Sequence, residues 1–117
     1  MKHDLEERTS KFGENVIKFL KTVKVTSITK PLISQLIRSA TSIGANYMEA
    51  NQASSRKDFK NKIRISQKES NETKYWLRML SIADESCANT CRELWKEAHA
   101  LTLIFAKISR TLKNSEI

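Results

Sequence analysis

The stretch Gln35-Leu36-Ile37-Arg38-Ser39-Ala40-Thr41-Ser42-Ile43-Gly44-Ala45-Asn46-Tyr47-Met48-Glu49 decides the fold. With residues placed about 100° apart, Leu36, Ala40, Ile43 and Tyr47 fall on one line of a helix. Ile33, Ile37, Gly44 and Met48 widen that line into a broad apolar stripe. A second stripe runs beside it: Gln35, Ser39, Ser42, Asn46 and Glu49. It carries no lysine and a single carboxylate. Two readings fit it. Small hydroxyls and amides suit a face that meets another backbone closely and satisfies hydrogen bonds there. The same residues also suit an ordinary exposed face that happens to be rich in serine.

Working outward, the same periodicity recurs on both sides. Upstream, Leu5, Thr9, Phe12, Val16, Phe19 and Val23 repeat in alternating steps of four and three, a bundle seam. Asp4 with Glu7 reads as an acidic capping start, and Gly13 beside Phe12 reads as a mark of close packing. Val25 to Thr29 is a short β-branched link, after which Pro31 sits in a first helical turn. Downstream, Ala53 to Ser55 is a joint, with Ser55 and Asp58 capping the next helix. There Phe59, Ile63, Ser66, Ser70, Thr73, Leu77 and Leu80 form a seam whose small polar centre permits close approach. Ile65, Glu69, Glu72, Trp76, Met79 and Ala83 form a second strip. Thr90 and Glu93 read as a capping box for a last helix with the seam Cys91, Leu94, Ala98, Leu101, Phe105, Ile108 and Leu112. Leu103 and Ile104 lie off that seam, so Leu101 to Ala106 is apolar nearly all round. The tail from Lys113 to Ile117 reads as frayed.

The expected fold is therefore all-α: one domain over 1–117, an antiparallel up-down-up-down four-helix bundle with helices near 4–24, 30–52, 55–84 and 90–113. The surplus apolar surface of the last two helices asks for a partner, most simply further copies of the chain in a homo-oligomer. Two glycines and one proline in 117 residues suit a few long helices. A net charge of +8 and a pI near 9.7 favour an anionic partner such as RNA or DNA. No stretch is apolar and long enough to span a membrane, and the start is unlike a signal peptide, so the expected location is cytoplasmic.

Three groups of residues invite chemistry. Arg38, Ser39, Ser42, Asn46, Glu49, Glu69 and Glu72 read as a hydrogen-bonded network between helices or between subunits that fixes register. The competing reading, a carboxylate cluster for metal or acid–base work, lacks the Glu-x-x-His pairs of di-metal bundles. Lys57, Lys60, Arg64, Lys68, Lys74 and Arg78 form a strip unbroken by acid. It is either a solvated face or a track for phosphates, which position a nucleic acid without reading its sequence. Trp76 and Trp95 read as core or interface aromatics before base-stacking ones, and Tyr75 as the more exposed ring. Cys87 and Cys91 share a helix face but lack two further zinc ligands, so they read as reduced structural thiols. His3 and His99 have no patterned nucleophile or acid partner, and no phosphate-binding glycine loop occurs. No metal, cofactor or catalytic residue is expected.

A family resemblance rests on these residues. Pro31, Gln35-Leu36, Arg38-Ser39, Ser42-Ile43, Asn46 and Glu49-Ala50, followed by Ser55, Asp58-Phe59, Lys68-Glu69, Glu72, Tyr75-Trp76-Leu77 and Leu80, resemble the four-helix-bundle proteins of the ribosomal-RNA intervening-sequence family, often labelled ribosomal proteins. Glu7-Arg8-Thr9 and Phe12 are similar to that family's start, with Gly13 where alanine is usual. The last helix resembles it in character only. The resemblance implies an antiparallel bundle assembling into a ring, commonly a pentamer, with no enzymatic activity. It also extends to the accessory protein of diversity-generating retroelements, a basic pentameric barrel that contacts nucleic acid and a reverse transcriptase. Two functions are therefore expected: a basic, non-enzymatic oligomer holding nucleic acid or a nucleoprotein partner with little sequence selectivity, or a protein–protein scaffold with no nucleic-acid role.

Overall fold

The computed structural model describes residues 2–114, with side chains from Asp4 onward, so the readings on His3 and on Ser115 to Ile117 lie outside the described residues. Four helices follow one another: α1 Lys2–Leu20, α2 Thr29–Asn51, α3 Arg56–Ala83 and α4 Ala88–Asn114, with a single 3-10 turn, Glu85–Cys87, before the last. They make an all-α bundle 49 Å long. α3 is its spine, packed along both α2 and α4, while α1 lies mainly on α2 and touches α4 less.

Pair contacts give the register. Along α2 and α3, Ser39 meets Thr73, Ile43 meets Ser66 and Glu49 meets Lys62, so partners descend on one helix as they rise on the other. The same holds for Lys74 with His99 and Gln67 with Ser109 between α3 and α4. The core follows most of the expected seams, with Leu20, Ala50 and Cys87 added and with Ile37 and Met48 of the α2 stripe left exposed. Phe12, Val16, Leu36, Ala40, Ile43, Ile63, Leu77, Leu80, Ala98, Leu101 and Phe105 are all fully buried, and Tyr47 meets Phe105 edge-on at 5.6 Å. The small centre of α3 is buried too. Ser66 donates to the Ile43 carbonyl at 3.0 Å, which brings α3 within hydroxyl reach of the α2 backbone. Among the described residues, no buried side-chain polar atom lacks a partner, as close packing demands.

Several boundaries differ from the sequence reading. α1 is already helical at Lys2, so Asp4 lies in its first turn, where a carboxylate favours the helix dipole, and is not the cap. α1 ends at Leu20 and not near Lys24. Thr22 bonds the Phe19 carbonyl through both its amide (2.9 Å) and its hydroxyl (2.7 Å), closing the helix in a tight turn. The link to α2 is capped by two threonines. Thr26 N–H donates to Thr29 Oγ1 at 2.8 Å and Thr29 N–H to Thr26 Oγ1 at 3.0 Å, while the buried Thr29 hydroxyl reaches the Lys24 carbonyl at 2.7 Å. Ser55 caps α3 as expected, accepting from Asp58 N–H at 3.1 Å. Thr90 caps nothing. Asp84 accepts from Ser86 N–H at 3.1 Å, and α4 begins at Ala88 because Cys87 and Cys91 are both drawn into the core. Lys113 and Asn114, expected to fray, are helical.

Gly13 does not mark the tight crossing that its position beside Phe12 suggests. A methyl group there would lie 3.8 Å from Ala40 and Thr41, at ordinary contact distance. The close approach is at Gly44, where a methyl would meet the Thr9 hydroxyl at 3.2 Å.

Candidate nucleic-acid interface

α3 sorts its charges. Two of its three acids, Glu69 and Glu72, engage Arg38 of α2, while the third, Asp58, acts on Lys62 of α3 itself. Arg38 of α2 donates to Glu69 at 3.2 Å and pairs with Glu72 as well, while its Nε reaches Gln35 at 3.1 Å. Desolvation lowers the Arg38 pKa, but the hydrogen bonds and charges of Glu69 and Glu72 outweigh it and raise it on balance. Glu72 also accepts from Trp76 Nε1 at 3.3 Å. Glu49 of α2 pairs with Lys62 at 2.8 Å, and Asp58 adds its field to that lysine.

The expected polar set is therefore brought together in pieces. Arg38, Glu69 and Glu72 form one ion cluster. Ser39 shares a buried 2.9 Å hydroxyl–hydroxyl bond with Thr73. Ser42 donates to the Arg38 carbonyl at 2.6 Å and Asn46 to the Ser42 carbonyl at 2.8 Å, both within α2. Glu49 stands apart with Lys62, a partner that sequence reading did not single out.

The other side of α3 is basic. Lys57, Arg64, Lys68 and Arg78 are exposed, and Lys60 and Lys74 half-buried. No ion pair joins Lys57, Arg64, Lys68, Lys74 or Arg78 to a carboxylate among the described residues. At the start of α3, Arg56, Lys57, Lys60, Asn61 and Arg64 line a hollow of about 340 Å³ whose wall holds no acid among the described residues. Desolvation, then the fields of Arg64 and Arg56, push the Lys60 ammonium below its ordinary value. Such crowding of like charge favours an incoming anion. Arg56 spans to α4, donating to the Leu112 carbonyl at 3.3 Å.

At the other end the strip meets aromatics. Lys74 Nζ donates to His99 Nδ1 at 3.1 Å and lies 5.4 Å from the Trp95 ring centroid. His99 stacks on Trp95 at 5.0 Å and 17°. Beyond them Arg78, Ser81, Cys91, Arg92 and Trp95 line a groove of about 350 Å³. Trp95 is 37% exposed here, while Trp76 is half-buried; Tyr75, 53% exposed, stands on the basic strip with its ring edge-on to Trp76. The spacing of Trp95 and His99, four residues on one helix, signals the stack in sequence; the contribution of Lys74 and Arg78 from another helix does not appear there. The Cys87 and Cys91 sulfurs lie 3.8 Å apart as free, buried thiols, and burial pushes Cys91 up to about 12. Among the described residues no group of three or more His, Cys, Asp or Glu side chains is placed to hold a metal.

A sequence profile described as the 23S rRNA-intervening sequence protein matches residues 2–89, three of the four helices. The chain belongs to this family. An intervening-sequence protein is thus the frame for the basic face, which lies wholly inside the matched residues, whereas Cys91, Arg92 and Trp95 of the aromatic groove lie beyond them. The chain is similar in structure to a protein of unknown function from the S23 ribosomal protein family of Bacteroides thetaiotaomicron VPI-5482. The two are 29% identical with a TM-score of 0.80, over 94% of this chain and 99% of that one. No curated protein matches it. No helix among the described residues is long and apolar enough to cross a membrane.

Proposed function

We propose that this intervening-sequence protein is a non-enzymatic, basic, up-down-up-down antiparallel bundle that assembles into a ring of identical copies, a pentamer, and holds nucleic acid by its phosphates along α3. The charge sorting of α3 carries this reading. Glu69 and Glu72 are engaged by Arg38 of α2 and Asp58 lends its field to Lys62, whereas Lys57, Lys60, Arg64, Lys68, Lys74 and Arg78 follow one another as a one-sign strip. From Lys57 to Arg78 such a strip runs roughly 30 Å at the helical rise of about 1.5 Å per residue. Phosphate contacts of this kind give salt-dependent binding with little sequence selectivity. The net charge of +8 supports the same reading.

Assembly is supported by apolar side chains that one copy leaves in water. Ile82 is 76% exposed, Leu103 56% and Met48 47%. A ring would bury such residues and repeat the basic strip by symmetry. The test is charge reversal: Lys60, Arg64 and Lys68 together to Glu, with oligomer mass and RNA binding measured on the same preparation. Loss of binding at unchanged mass supports the proposal. Unchanged binding overturns it, and a wild-type oligomer that binds no nucleic acid at low salt leaves a protein–protein scaffold.

A further inference from the structure

The groove at the end of the strip differs from the strip itself. The strip is charge on a convex helix; the groove is concave, about 350 Å³, and walled by Leu77, Arg78, Ser81, Cys91, Arg92 and Trp95. Its volume falls at the lower end of small-ligand sites, room for one flat ring system and little more. Among the described residues no carboxylate lines it. Arg78 and Arg92 come from different helices, and neither pairs with a carboxylate among the described residues. Arg92 spends one donor on Asn89 Oδ1 at 2.9 Å, leaving most of its five N–H groups for other acceptors.

The aromatic wall is braced by a second ring. His99, four residues on, stacks against Trp95, and Lys74 is held on that side by its bond to His99. Helical side chains tilt toward the N-terminus, so His99 covers the indole from the following turn. The groove reaches the indole from the preceding turn, where Cys91 and Arg92 stand. The indole is thus braced by His99 and, 37% exposed, still lines the groove.

We infer that this groove takes one unpaired nucleotide of a single strand, its base stacked on Trp95 and its phosphate held between Arg78 and Arg92. This rests on the phosphate-tracking reading above and narrows it. A base in a duplex is stacked on its neighbours and has no free face to offer, whereas every unpaired base does. The substrate class is therefore single-stranded or looped nucleic acid, entering the groove from the basic strip that Arg78 joins to it.

The test uses the full-length protein, a fluorescein-labelled oligoadenylate of about a dozen nucleotides, and an RNA duplex of equal length. Trp95→Ala should weaken the single strand about tenfold or more and leave the duplex nearly unchanged. Trp95→Phe keeps a ring and should hold most of the affinity; circular dichroism and melting show that both variants are folded. Tryptophan fluorescence should be quenched by the single strand in the wild type and largely unquenched in Trp95→Phe, where only Trp76 reports. If the wild type binds both nucleic acids and Trp95→Ala weakens them equally or not at all, the groove is no base site, and the phosphate-tracking strip survives without it. If the wild type binds neither at low salt, that wider reading falls and this one with it. A groove built for an acidic protein segment would give one of these two contrary results.

Discussion

Gly13 and Gly44 lie on facing helices, and the same substitution should act on them in opposite directions. At Gly13 a new methyl meets the Ala40 carbonyl oxygen and two Thr41 carbons, all at 3.8 Å. Gly to Ala inside a helix gains about 1 kcal/mol from propensity. Contact burial of the methyl adds a fraction of the ~0.8 kcal/mol of a buried methylene. Gly13→Ala should therefore stabilise by roughly 1–1.5 kcal/mol, about 4–6 °C in Tm for a chain of this size. At Gly44 the methyl meets Thr9 Oγ1 at 3.2 Å and Thr9 C and Cβ at 3.4 Å. Thr9 cannot yield easily: it is 1% exposed, its hydroxyl donates to the Glu6 carbonyl at 3.0 Å, and one of the crowded atoms is backbone. Overpacking of this kind costs about 1–3 kcal/mol, more than the propensity gain. Gly44→Ala should destabilise by about 1 kcal/mol, leaving the two variants about 2 kcal/mol apart. Urea unfolding at one fixed protein concentration measures both, since assembly makes stability concentration-dependent. Gly44→Ala stabilising as much as Gly13→Ala, or the order reversed, would refute the reasoning.

Two further outcomes follow from the ion cluster and the thiols. A double-mutant cycle on Arg38→Ala and Glu69→Ala should give a coupling of about 1 kcal/mol, limited because the Arg38 side chain is 45% exposed although Glu69 is 13%. A coupling near zero would mean that the cluster is ornamental. The buried Cys91 thiol is held neutral by desolvation, with its pKa raised to about 12. An unfolded thiol ionises near about 8.5, so the contribution is whole below that pH and drains as pH rises toward the folded value. Wild-type stability should then fall more steeply from about pH 8 to pH 10.5 than that of Cys91→Ala; parallel curves would show that Cys91 does not titrate on unfolding.

α3 was the most legible part of the chain. Its seam from Phe59 to Leu80 keeps a strict helical period, and Ser55 stands where the cap belongs, so spacing alone determines its face and its start. The ends of α1 and the start of α4 were less legible, for a physical reason. Thr22 closes α1 from inside the stretch that reads as helix, and Thr26 and Thr29 cap through hydroxyls in a β-branched run that looks like plain linker. Thr90 and Glu93 have the right spacing for a capping box, but burial of Cys87 and Cys91 outweighs one local hydrogen bond. The site follows the same rule. The basic strip belongs to one helix and was readable. The pairing of Glu49 with Lys62, and the meeting of Arg78 and Lys74 with Trp95, depend on which helices lie side by side.

The most direct test is binding of the nucleic-acid-free oligomer to labelled RNA and DNA hairpins over a salt series. A strip engaging about five phosphates predicts micromolar or tighter binding at low salt, with log K falling against log salt at a slope of roughly −3 to −5. Absence of binding at low salt, or binding indifferent to salt, would contradict a phosphate-holding role for α3.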